Sequence, residues 1–275
     1  MARSKESVRR AREGGAAEVV GTVDALPPLE GAVVCTPIST HHDVIEALLA
    51  KQDVPVFVEK ALTADPLQAD RLADRHEGRL FVMDKWRYHP AVKELAAIAG
   101  SAELGPVDAL HCRRVTLGHR YSDVDTVWVH APHDLAIALE VLGELPPVRY
   151  ASEERMGGQR VSLIARLGER PGVTLEVSCV APAHRREVRL VCEDGIAYLD
   201  GGWSEEVRVV RNIAGSPKPE VRQVLGELPL LAELRAFIEH LAGGPPPRSS
   251  AREAAQIVRR LAELVQLATR HEVVA

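Results

Sequence analysis

Aromatic residues are scarce in this chain. Three Phe, three Trp and four Tyr make up 4% of its 275 residues, which leaves little surface for stacking bases or rows of sugar rings. Cysteine is scarce too. Cys35, Cys112, Cys179 and Cys192 lie scattered in apolar, strand-like runs, and no two form a C-x-x-C pair. That argues against a disulfide framework and suits reduced thiols in a cytoplasmic protein. No apolar run approaches the roughly eighteen residues of a membrane span. The charged N-terminus lacks an apolar h-region, so no signal peptide is read. A net charge of −5 argues against nucleic acid as the main partner. His130 and His133 stand at i, i+3, but no cluster of carboxylates or cysteines completes a metal site around them. No G-x-S-x-G marks a serine hydrolase.

What is present centres on Val33 to Lys60. Ala32 to Cys35 is a short apolar, β-branched run that suits a buried parallel strand, and Thr36-Pro37 ends it, since proline cannot donate to a sheet ladder. Thr40 and Asp43 have the spacing of a capping box. Val44, Ile45, Leu48 and Leu49 then share one helical face. Val54 to Val58 reads as a second strand, closing a βαβ unit. Ligands of open α/β sheets sit beyond the carboxyl ends of the strands, so Thr36-Pro37 and Glu59-Lys60 are expected to face one crevice.

Ahead of this unit, Ser4 to Arg12 reads as a helix closed by Glu13-Gly14-Gly15, and Val19 to Val23 as a short strand. A dinucleotide-binding domain opens with a strand and a G-x-G-x-x-G loop whose backbone cradles the pyrophosphate. Gly14-Gly15 has neither the spacing nor the preceding strand. The expectation is an incomplete nucleotide domain. Either the chain is cut short by its start site, or the protein natively lacks the nucleotide site.

Behind it, Asp65-Pro66 starts a helix with an N-cap and a proline at its first position, and Leu80 to Met83 is a strand. Asp84 to Pro90 is a loop of Trp86, Arg87, Tyr88 and His89, suited to a polar ligand or to packing between domains. Ala91 to Ser101 is a helix and Val107 to Leu117 a long strand. Gly118 to Asp125 is a polar loop, and Ala131 to Leu142 a helix started by Pro132. Six strands follow, at 148–155, 161–167, 173–180, 187–191, 196–199 and 207–211, with Asp194-Gly195 as a hairpin turn. Leu228 to Leu241 is a helix. Ser250 and Glu253 cap the last helix, whose Ile257, Val258, Leu261, Leu264 and Val265 form a core stripe.

Cys35-Thr36-Pro37, a histidine at the next helix start, Glu59-Lys60-Ala61 and Trp128-Val129-His130-Ala131-Pro132-His133-Asp134 together resemble the glucose–fructose oxidoreductase / inositol dehydrogenase / MocA (Gfo/Idh/MocA) family. Two positions depart from its pattern: Ala61 replaces a proline, and Val129 stands where an aspartate often precedes the histidine. The resemblance implies an α/β chain, with an incomplete Rossmann-like parallel-sheet domain over residues 1–90. An α+β substrate and dimerisation domain with a large, mostly antiparallel sheet follows over residues 91–275, its last helix packing back on the first domain.

The resemblance also implies roles. Lys60 and His133 are the catalytic pair, with His133 as acid/base and Lys60 as its electrostatic partner. Thr36, Pro37, His41, Glu59 and Lys60 contact an NAD or NADP cofactor, or none if the chain as given is the whole protein. Trp86, Arg87, Tyr88 and His130 border a small polar metabolite such as a sugar or cyclitol. Lys60 otherwise reads as a surface lysine or an ion pair with Glu59, and His133 as a helix cap or a packed histidine. Val161, Leu163, Leu175 and Val177 suggest an open sheet face too apolar for water, hence a homodimer or higher oligomer. A cofactor-free enzyme that keeps the crevice and a non-catalytic assembly partner are the alternatives to a redox enzyme.

Overall fold

A short parallel sheet and a long mixed sheet divide the chain, and its last helix touches both. The computed structural model describes residues 4–118, 123–211 and 218–272. α1 (Lys5–Glu13) is closed at its start by a reciprocal box between Ser4 and Ser7, and buries no residue. The expected strand over 19–23 does not form. Val23–Ala25 makes a single 3-10 turn, and the Lys51 ammonium takes the carbonyls of Val23, Asp24 and Leu26. A side-chain cation thus satisfies backbone acceptors that a strand partner would otherwise have to meet.

β1 (Ala32–Val34), β2 (Val56–Glu59) and β3 (Leu80–Met83) pair in parallel in that order. They are linked by α2 (His41–Lys51) and α3 (Pro66–Arg75). The Asp65 carboxylate accepts from Leu67 N and Gln68 N, and Pro66 opens the helix, as its sequence predicts. The Thr40–Asp43 capping box is not made. Ile38–Thr40 is already a 3-10 turn, so Thr40 is in helical conformation and its hydroxyl donates to the Pro37 carbonyl instead. Ile45, Leu48 and Leu49 bury as expected, and His41 buries with them.

Past a 3-10 turn at Lys85–Tyr88 and α4 (Pro90–Ser101) comes the second sheet. β4 (Val107–Leu117) is followed by α5 (Thr126–Leu142), β5 (Val148–Met156), β6 (Gln159–Leu167), β7 (Gly172–Ser178), β8 (Val180–Cys192), β9 (Gly195–Asp200), β10 (Glu206–Arg211) and β11 (Glu220–Gln223). The spatial order is β11-β10-β9-β8-β4-β7-β6-β5, antiparallel except for the parallel β4–β7 pair. β11 has no counterpart in the sequence reading, because Glu220–Gln223 is short and polar. α6 (Pro229–Leu241) and α7 (Ala251–Glu272) complete the chain. Ser250 and Glu253 exchange both bonds of a capping box before α7. α7 then packs on α3 beside the first sheet and on β5 of the second.

Two expectations change. Val161, Leu163, Leu175 and Val177 are almost fully buried. They lie on the face of the second sheet that α5 covers. With a side-chain period of two, their neighbours take the other face: His111, Arg113, Glu176, Glu187, Arg189 and Tyr198 line a groove there. The uncovered face is therefore polar and charged. In addition, α5 starts five residues before Ala131, at Thr126, and Pro132 lies inside it. His133 is thus a helix-interior residue rather than a helix-start one.

Candidate functional site

The carboxyl ends of β2 and β3 open toward the first half of α5. Lys60 follows β2, and its Nζ donates to the Val129 carbonyl at 2.9 Å, one helical turn before His133. Pro132 has no N–H to give the Trp128 carbonyl four residues back, so the backbone ladder is weakened next to the carbonyl that Lys60 takes. Burial lowers the Lys60 pKa. The nearby Glu59 and Asp84 oppose that shift, while Arg114 and Lys85 add to it. Burial also holds His133 well below the usual histidine range, and Lys60, Arg114, Lys85 and His130 push it the same way. Its Nδ1 is buried without a hydrogen-bond partner. His130, one turn earlier, is lowered to about 4, by burial first and then by Arg114, Lys60 and Arg186. The crevice thus holds two neutral imidazoles beside a lysine, an arrangement that can accept a proton and stabilise negative charge on oxygen.

The structure brings Lys60, His130 and His133 together, and adds Arg114, which the sequence reading does not include. Arg114 on β4 makes a two-pronged pair with the buried Asp134 carboxylate, Nη2 to Oδ1 at 2.9 Å and Nε to Oδ2 at 3.1 Å. Its guanidinium lies 4.7 Å from the centre of the Trp86 ring. The alternation of β4 is the available signal: an arginine among Leu110 and Cys112 on the helix-covered face needs a buried carboxylate partner.

Other expected site residues lie differently. His41 is fully buried, with Nδ1 at 2.9 Å from the Ala61 carbonyl oxygen and Nε2 at 2.8 Å from that of Thr36. It ties the β1 end to the segment after β2, and neither ring nitrogen faces the crevice as a free cofactor contact. Thr36 is half-buried and Pro37 exposed. Glu59 is half-buried, and its carboxylate accepts from the Lys60 N–H. Arg87 pairs with Glu140 and Glu253, and the Tyr88 hydroxyl accepts from Arg248 N. These two fasten the junction of the sheets and are buried, so they do not present their polar groups to a metabolite. Trp86 is buried as well, yet it forms one wall of a pocket of about 150 Å³ with Lys85, His89, Arg186, Trp203 and Leu228. It also stands edge-on to His133, ring centres 6.5 Å apart. Gly202 is required in this wall, since a Cβ there would come within 3.2 Å of the Trp86 ring and 2.8 Å of Arg186. His119, Arg120, Tyr121 and Ser122 of the expected polar loop lie outside the described residues.

For a nicotinamide cofactor, the residues present fit one end. Thr36 and Pro37 at the β1 end and Lys60 at the β2 end share the crevice mouth. The turn between β1 and α2 carries no glycine, and Thr40 N is already bonded to the Pro37 carbonyl. Among the described residues, that turn offers no cradle for a pyrophosphate.

Such a molecule is an α/β protein with a lysine–histidine crevice at the ends of a parallel sheet. Over residues 1–82 it matches the family model described as oxidoreductase family, NAD-binding Rossmann fold. No curated protein matches the chain. Among solved structures, it resembles UDP-N-acetylglucosamine 3-dehydrogenase from Acidithiobacillus ferrooxidans at 22% identity and a TM-score of 0.81, over 96% of this chain and 86% of that one. An oxidoreductase from Agrobacterium radiobacter in complex with NAD+, L-tartaric acid and magnesium gives 14% identity and 0.82, over 96% and 86%. An NAD binding oxidoreductase from Klebsiella pneumoniae gives 16% and 0.82, over 95% and 84%. At these identities the likeness is one of fold.

Proposed function

We propose that the chain is an NAD(P)-dependent oxidoreductase acting on a sugar, cyclitol or related polar metabolite, with His133 as acid/base and Lys60 as its electrostatic partner. One observation carries this reading: the Lys60 ammonium is anchored one turn from a half-buried, neutral His133 whose Nδ1 is buried and unpartnered. A bound nicotinamide would supply the hydride acceptor or donor. The protein's part is to receive the hydroxyl proton on the neutral imidazole and to steady negative charge on the substrate oxygen with Lys60. The positive groups around His133 favour the neutral ring between turnovers, so it starts each one able to accept a proton. Thr36 and Pro37 would border the nicotinamide, and His130 and Trp86 the substrate.

The test is calorimetry with NADH and NADPH, followed by turnover on a panel of polyols, sugars and nucleotide sugars. Nucleotide sugars enter the panel because one protein of the same fold is a UDP-N-acetylglucosamine dehydrogenase by name. Micromolar binding of either nucleotide supports the reading, and turnover on no member of the panel counts against it. A second reading, acid–base chemistry without a nicotinamide, needs only the neutral imidazoles and the lysine that the crevice holds. It predicts no nucleotide binding, with the His133 chemistry retained.

A further inference from the structure

β2 and β3 run in register with Val58 beside Val82 and Glu59 beside Met83. The next residues along the two strands, Lys60 and Asp84, therefore leave the sheet side by side. Asp84 is 2% exposed, and its Oδ1 has no hydrogen-bond partner. α6 packs on the Lys85–Tyr88 turn that follows Asp84 and sends in Glu233, which is 1% exposed with an unpartnered Oε2. Unpartnered buried polar atoms are few in a native protein and call for an explanation. Here two of them are carboxyl oxygens, close enough that the charge of Asp84 acts on Glu233, and Asp84 adjoins the crevice lysine.

A carboxylate buried without a partner is costly and takes up a proton instead. Two neighbouring carboxyls cannot both ionise cheaply, so such a pair holds a proton in common. The charged groups facing Asp84 and Glu233 are Glu59 and Lys60 from β2, Lys85 and Arg87 from the turn and Glu253 from α7, with the Tyr88 phenol beside Glu233. Arg87 is already bound to Glu140 and Glu253, which leaves Lys60 as the cation on the crevice side of Asp84. Burial raises Asp84 to about 7, against the opposing charges of Arg87 and Lys60. Glu233 rises to about 9, by burial first and then by the charges of Asp84 and Glu59.

We propose that Asp84 and Glu233 are positioning residues that share a proton behind Lys60 and take up the proton the crevice gives off when a substrate hydroxyl is oxidised. The proposal rests on the redox reading above. In the transfer, Lys60 gives an ammonium proton to the carboxyl pair and takes up the hydroxyl proton that His133 received, so Lys60 stays an ammonium, His133 returns to the neutral ring and the pair goes from one proton to two. No other bond changes, and the proton leaves to solvent in a later step.

The test needs neither cofactor nor substrate for its first part. Carbon-13 NMR of the Asp and Glu carboxyls of the full chain is followed through pH, for the wild type, Asp84→Asn and the near-isosteric Glu233→Gln. The expected result is one Asp midpoint at about 7 and one Glu midpoint at about 9. Glu233→Gln removes the latter, and Asp84→Asn weakens proton binding at Glu233 by about tenfold, or roughly one pKa unit. Carboxyl midpoints all within the ordinary range overturn the proposal. So does a Glu233 midpoint that Asp84→Asn does not move.

In the second part, Glu233→Gln shifts the pH profile of kcat while KM holds, and Glu233→Leu shifts it further. Equal losses of Tm in both variants with unchanged pH profiles would show packing alone and overturn the proposal. The two carboxyl midpoints without redox turnover on any substrate would support the shared proton but overturn its catalytic use, and the redox reading with it.

Discussion

The Lys60 ammonium spans from the end of β2 to the Val129 carbonyl, one turn before His133 on α5. One hydrogen bond thus joins the parallel sheet to the helix that carries the acid/base candidate. It fixes the crevice from both sides, and it places a positive charge where it lowers the proton affinity of His133 and His130.

Lys60→Met keeps most of the side chain's length and removes its charge and donor. The proton affinity of both histidines is expected to rise, because Lys60 is among the groups that depress each of them. Histidine ring resonances followed through pH measure this directly. Turnover is expected to fall by about 10² or more, as when a charge-stabilising donor is removed. Unmoved histidine midpoints would place Lys60 outside the crevice's electrostatics.

His133→Asn removes the proposed proton acceptor and keeps a polar group of similar reach. Turnover is expected to fall by roughly 10²–10⁴, the usual worth of a positioned acid/base, with Tm and the circular dichroism spectrum preserved. Lower thermal stability with activity spared would make His133 a packing residue.

The two-sheet layout is legible in the sequence because its signals are periodic. Most of the short apolar runs, Asp65-Pro66 before α3 and the Ser250–Glu253 box are local, and local rules read them correctly, whereas the run at 19–23 and the Thr40–Asp43 box are read wrongly. His133 reads as a helix-start residue because Pro132 looks like a first helical position, whereas α5 tolerates a proline in its interior. The apolar alternation of β6 and β7 is plain, but which face α5 covers is a tertiary fact, so local pattern assigns the open face the wrong chemistry. Glu233 is invisible as a site residue for a related reason, and Arg114 and Asp84 show only a local hint, the alternation of β4 and the polar loop after β3. Each belongs to a cluster assembled from elements far apart in the chain, and nothing near any one of them announces its partners.

Asp134 follows His133 in the motif and makes the buried pair with Arg114. Asp134→Asn is expected to cost about 3–5 kcal/mol of stability, because it leaves a guanidinium buried without its counter-charge. Urea unfolding reads the loss as a lower midpoint at unchanged slope. A loss under about 1 kcal/mol, typical of exposed pairs, would show that the Arg114–Asp134 pair is solvated.

We also propose self-association, through the uncovered face of the second sheet. That face is polar, with Arg113 beside Glu176 in an ion pair at 2.9 Å, and Tyr198, Ile196 and Val210 at its groove. Sedimentation at micromolar concentration is expected to give a homodimer, and Tyr198→Glu a monomer. A wild-type monomer would end this part of the reading.

The histidines and the inner carboxyls shape stability against pH from opposite sides. His130 titrates at about 4 in the folded chain against an ordinary 6.5. Between those values the unfolded chain binds the extra proton, so stability falls as pH drops from about 6.5 to about 4. Glu233 has the reverse sign. Its folded value is about 9 against an ordinary 4.5, so the folded chain holds a proton that the unfolded chain has released. Stability from this group is full below about 4.5 and is lost as pH rises toward about 9. The two windows overlap between about 4.5 and about 6.5, where the opposite slopes offset each other, so Tm plotted against pH is expected to level there, to fall toward pH 9 and to fall below pH 4.5. His130→Gln flattens the acid side and leaves the alkaline side, while Glu233→Gln flattens the alkaline side and leaves the acid one. A slope above about pH 7, beyond the reach of Asp84, that Glu233→Gln leaves unchanged would show that the Glu233 carboxyl is ionised in the folded chain, and that its buried oxygen has a partner from solvent.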